Sequence, residues 1–202
     1  MAAEVAYSNP LQTRILRLQT ITIVWMVVEC AVALFAAWRA RSVSLLAFGS
    51  DSLVELLSAS IVLVQFTPRL RLSQYRAARL CGLLLYGLAG VVATIAITGL
   101  LRHEEADSSF LGMAVTAGAL LFMPVLARMK RVAAAQTGNK ALRADAVQSA
   151  TCAYLAGITL TGLLLRHIFG VYWIDPLAAL VAVPILIAEG RRARKGQTCA
   201  CC

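Results

Sequence analysis

From residue 80 to residue 101 the chain carries no charged side chain. With a helical rise of about 1.5 Å per residue, a stretch of that length matches the hydrocarbon core of a bilayer, about 30 Å thick. Five further apolar stretches, at 15–38, 43–66, 110–127, 141–165 and 172–189, flank it, separated by short loops rich in arginine. One soluble core cannot absorb that much apolar surface. In lipid, each stretch must satisfy its own backbone hydrogen bonds, which a helix does. The expected fold is therefore all-α: an integral membrane protein built as a six-transmembrane-helix bundle. Composition agrees, with 60% hydrophobic residues, 14% charged residues and a mean hydropathy of +0.77. The expected organisation is a short tail at 1–13, a transmembrane domain at 14–189 and a basic, cysteine-rich tail at 190–202. The first span lacks the short apolar core and cleavage site of a signal peptide and is expected to be retained.

The formal net charge is +9, which in a soluble chain would raise the question of nucleic acid. Its distribution answers that question. Fifteen of the 19 lysines and arginines fall near the N-terminus, at 69–79, at 128–143 (Lys130 among them) and in the final tail. The other four are Arg39, Arg41, Arg102 and Arg166. Cytoplasmic loops carry the excess of Lys and Arg, so both termini are expected in the cytoplasm, with no nucleic-acid partner. Four glycines at 82, 87, 90 and 99 predict close packing of the third helix. Pro124 is expected to kink the end of the fourth, and Gly138–Asn139 reads as a turn before the fifth. Asp175 before Pro176 reads as a helix cap.

Against this background the acids inside the spans stand out. Asp51 and Glu55 lie four residues apart, on one helix face, and Glu29 lies deep in the first span. An acid at membrane depth costs about 2.5–3.5 kcal/mol on insertion scales, and such residues mark ion paths and proton relays. On the fifth span Asp145, Gln148, Ser149 and Cys152 follow i, i+3, i+4 and i+7 spacing and form one stripe. Two polar stripes on otherwise apolar helices are expected to face one another. A cation between them would relieve the repulsion of the acids. No nucleophile–base pair and no nucleotide-binding loop is present, so no enzyme activity and no cofactor are expected.

Three segments carry a family resemblance. The run 42–55, SVSLLAFGSDSLVE, resembles the second helix of cation diffusion facilitator metal transporters; 142–149, LRADAVQS, is similar to the start of their fifth; and 173–180, WIDPLAAL, to their sixth. The resemblance covers the six-span region in order and implies a dimerising six-helix bundle in a cell membrane. It also implies export of a divalent metal, zinc or cadmium, commonly in exchange for protons. It makes Asp51 and Glu55 half of the transport site and aligns Gln148 and Cys152 with the helix-five pair, where the family has His or Asp and then Asp. Glutamine is an uncommon ligand for zinc, whereas a cysteine thiolate is strong and soft. The implied ligands are Asp51, Glu55 and Cys152, with Gln148 or water completing the set. The sequence leaves no room for the family's soluble C-terminal domain, so a short member is expected.

Other readings stay open. Glu29 is a third acid at the site, a proton carrier or an interhelical hydrogen-bond partner. Asp145 is a helix cap, which is favoured, or an ion relay. Cys199, Cys201 and Cys202 form a thiol cluster suited to soft cations or to palmitoylation. His103 with Glu104, Glu105 and Asp107 either collects metal or is a solvated loop. The substituted fifth helix allows an alternative function, a transport-inactive scaffold or metal-sensing regulatory subunit.

Overall fold

The structure, a computed structural model, describes residues 9–65, 74–102, 107, 109–170 and 173–195. Six α-helices account for almost all of them: α1 Asn9–Ala40, α2 Val43–Gln65, α3 Gln74–Arg102, α4 Phe110–Thr137, α5 Lys140–Phe169 and α6 Ile174–Lys195. No strand occurs among the described residues. Five of the helices are long and apolar enough to cross a membrane; α6 contributes a shorter apolar stretch, Ile174–Ala188. The chain is thus a multi-pass membrane protein.

The surface is apolar and the interior mixed. Val24, Phe35, Trp38, Leu121, Tyr154 and Phe169 are more than half exposed, whereas Glu29, Asp51, Glu55, Lys130, Asp145 and Asp175 are all buried. That arrangement suits lipid outside and paired polar groups inside. α1, α2, α4 and α5 enclose most of these groups, while α3 packs chiefly on α6.

Local chemistry sets the register. Asn139 caps α5, its Oδ1 accepting from the N–H groups of Ala141 (2.9 Å) and Leu142 (3.1 Å). Gly138 beside it takes the left-handed conformation, φ 62°, which glycine adopts at no steric cost. The predicted turn is therefore present, and it folds α4 and α5 into a tight antiparallel hairpin. The fourth helix differs from expectation. It continues past Pro124 and past residue 127 to Thr137. Its buried stripe runs through Met123, Leu126, Lys130, Ala133 and Ala134 at helical spacing, so Lys130 belongs to the interior and not to a cytoplasmic loop.

Only part of the small-residue face of α3 is used. A Cβ at Gly99 would lie 3.2 Å from Val43 Cγ2, but at Gly87 and Gly90 it would meet nothing within 4 Å. A close approach beside the polar interior is between α1 and α2. There a Cβ on Gly49 would lie 2.9 Å from Leu34 Cδ2 and 3.1 Å from the Leu34 backbone nitrogen. The backbone atom cannot yield, so Gly49→Val should lower stability by about 1–3 kcal/mol, read as a lower unfolding midpoint in micelles.

Candidate metal-transport site

The acids of α2 sit beneath that close approach. Asp51 and Glu55 are both fully buried, on the face of α2 that meets α1 and α5. Among the described residues neither carboxylate oxygen of Asp51 has a hydrogen-bond partner, and Oε2 of Glu55 has none either. Buried polar atoms almost always have partners, so three free carboxylate oxygens one helical turn apart form a cation-seeking surface.

The fifth-helix stripe faces them. Asp145, Gln148, Ser149 and Cys152 are all buried. Ser149 Oγ donates to Glu55 Oε1. Cys152 donates from Sγ to Glu29 Oε1 at 3.5 Å and lies within electrostatic reach of Asp51 and Glu55. Gln148 is on the same face, and its Nε2 has no partner among the described residues.

Glu29 is held by donors from its own helix and two others. Trp25 Nε1 donates to its Oε2; Ser52 Oγ donates to its Oε1 at 2.7 Å; Cys152 supplies the third bond. Trp25 in turn packs on Phe122 of α4, ring centroids 4.5 Å apart. Of the three readings left open for Glu29, the interhelical bond is the one visible here.

The residue that sequence reasoning missed is Lys130. Its ammonium lies 2.9 Å from Asp145 Oδ2 and 3.4 Å from Glu55 Oε1, and it donates to Ser149 Oγ at 2.7 Å. Asp145 also accepts from Gln19 Nε2 of α1 at 2.9 Å. The cap assigned to Asp145 belongs instead to Asn139, because Asp145 stands in the second turn of α5. The signal that could have revealed Lys130 is its register: Arg128 and Arg131 fall on exposed positions and Lys130 on the buried one.

Among the described residues, no three of His, Cys, Asp and Glu are grouped closely enough to hold a metal ion as they stand. Glu55 faces Lys130 and Ser149, and Glu29 faces its own donors. Coordination by Asp51, Glu55 and Cys152 therefore requires side chains to leave these partners.

Asp175 is a cap, but of a different helix. Its carboxylate accepts from the N–H groups of Val43 (2.6 Å) and Ser44 (3.1 Å) and from the Ser42 (2.7 Å) and Ser44 hydroxyls. The start of α2 is thus held by the first turn of α6. Of the segment 103–107, Asp107 is exposed and its N–H donates to Ala40 O; His103, Glu104 and Glu105 lie outside the described residues. So do the cysteines at 199, 201 and 202.

No curated protein matches the sequence. Comparison with protein families does: residues 74–195, more than half of the chain, match the cation efflux transmembrane domain. The match takes in the fifth-helix stripe and Lys130 and begins after the acid pair of α2. A helical membrane bundle with unpartnered carboxylate oxygens in its interior agrees with that match, and the chain belongs to the cation efflux family, membrane transporters of divalent metal cations.

Proposed function

We propose that the protein exports a divalent metal cation, zinc or cadmium, from the cytoplasm in exchange for protons. The observation that carries this reading is Asp51, fully buried with two unpartnered oxygens. Asp51, Glu55 and Cys152 are the proposed ligands, with Gln148 as the neutral fourth. Such ligands bind a metal as carboxylate or thiolate, so metal entry displaces protons and proton entry displaces metal. The proposed topology puts both termini in the cytoplasm of a plasma-membrane homodimer. Moving Lys130 into the interior leaves fourteen basic residues on the proposed inner side against four, so the charge bias survives. Cys199, Cys201 and Cys202 would then offer soft donors on the cytoplasmic side, and Glu29 and Asp145 are accessory acids.

Metal flux into proteoliposomes tests the reading. Asp51→Ala and Glu55→Ala should each remove it, and unchanged flux in both variants would sink the proposal. Cys152→Asp should lower the preference for cadmium over zinc by about tenfold, measured as a flux ratio; an unaltered ratio counts against thiolate ligation. The alternative, a transport-inactive scaffold or metal-sensing subunit, is favoured by the contact of Lys130 with Glu55. Flux by the wild type separates the two.

A further inference from the structure

We infer that Lys130 is a tethered counter-cation of the transport site: with no cargo bound its ammonium sits against Glu55, and a divalent cation binds by displacing it. The inference rests on the reading of Asp51 and Glu55 as cargo ligands, and it adds how the empty site is kept closed to other cations.

Three observations carry it. The first is burial. The Lys130 side chain is fully buried with Glu55, Asp145 and Ser149 as its polar neighbours. A buried ammonium is expensive unless it is paired and hydrogen-bonded, and these three groups match its three protons. The second is the inequality of the contacts. Asp145 at 2.9 Å and Ser149 at 2.7 Å are the close partners, and Glu55 at 3.4 Å is the loose one. Both close partners stand on α5, joined to α4 by the Gly138–Asn139 turn, whereas Glu55 belongs to α2. Lys130 can therefore give up Glu55 and remain paired inside its own hairpin.

The third is charge. As carboxylates, Asp51, Glu55, Asp145 and Glu29, which shares Cys152 with the site, bring four negative charges and Lys130 one positive. Three negative charges stay uncompensated; the free oxygens belong mainly to Asp51 and Glu55, while Glu29 is held by its three donors. One divalent cation between Asp51 and Glu55 offsets two of the three, leaving Lys130 to Asp145. A monovalent ion offsets only one, and each buried charge left unpaired is costly in a low-dielectric interior. The lysine thus supplies the competitor that the cargo must displace, and the acids supply the charge that favours a divalent ion.

The test is calorimetric titration of the purified full chain in micelles with cadmium chloride, comparing wild type, Lys130→Met and Lys130→Arg. Removing the competing ammonium should tighten binding about tenfold or more in Lys130→Met, while Lys130→Arg keeps the wild-type affinity. Should Lys130→Met fail to fold, the charge-balanced double variant Lys130→Met/Asp145→Asn takes its place, again with tighter binding expected. Wild-type or weaker affinity in the methionine variant that folds makes Lys130 a structural brace and overturns the inference alone. Binding by Lys130→Arg as tight as by Lys130→Met overturns it too. Absence of cadmium binding in wild type and every variant overturns the transport reading and the inference together.

Discussion

Asp51→Asn should abolish metal transport while leaving the protein at least as stable as the wild type. The two halves of that expectation have one cause. Among the described residues neither oxygen of this carboxyl group is hydrogen-bonded, so the native fold gains little from it and bears the cost of burying an acid. An amide of the same shape removes the charge, and releasing an uncompensated buried group is worth about 1 kcal/mol or more. Transport moves the other way. Loss of an anionic ligand should reduce cation affinity, and flux at limiting metal, by about a hundredfold or more. Thermal unfolding in micelles and proteoliposome flux on the same preparation check both halves. A variant that transports normally removes Asp51 from the site, and one that unfolds early shows the carboxylate to be a brace. Sites evolved for a ligand characteristically give up stability in this manner.

Asp175→Ala should do the reverse, costing stability first. The carboxylate is the acceptor for two buried backbone N–H groups, those of Val43 and Ser44. The serine hydroxyls have other partners within reach: Ser42 Oγ lies 3.4 Å from Ser44 Oγ and already accepts from Leu45 N at 3.2 Å. The amides have no such recourse. Leaving them unsatisfied, with loss of the cap, should cost about 2–4 kcal/mol, measured by denaturant unfolding in mixed micelles. Asp175→Asn keeps one carbonyl oxygen and should recover part of that loss. No loss in the alanine variant would mean that α2 starts equally well without α6.

How far the sequence alone reached depended on which periodicity a residue interrupts. Asp51, Glu55 and the stripe 145–148–149–152 are polar residues in apolar surroundings, and their helical spacing placed them on two faces that meet. The Gly138–Asn139 turn was legible because its residues have few other uses. Lys130 was hidden for the opposite reason. It stands between Arg128 and Arg131, where a basic run normally marks the end of a span. Only the continuation of the stripe through Ala133 and Ala134 shows that the helix goes on. Asp175 was read as a local cap because sequence shows only neighbours in the chain; its partners lie more than 130 residues away. The acid pair and its partners were thus visible one helix at a time, while the contacts between them depended on packing that no spacing encodes.

The pinning of α2 by Asp175 also gives that helix a fulcrum. Val43 and Ser44 are fixed to α6, and the acids lie farther along the rod. At about 1.5 Å per residue, Asp51 is about 12 Å and Glu55 about 18 Å from Val43. A tilt of about 10° around that end would carry Asp51 about 2 Å and Glu55 about 3 Å, since arc length grows with distance along the helix. The larger swing falls on the residue whose contact with Lys130 is already the longest of the lysine's three. A leverage of that kind draws Glu55 from the ammonium about half as far again as it carries Asp51.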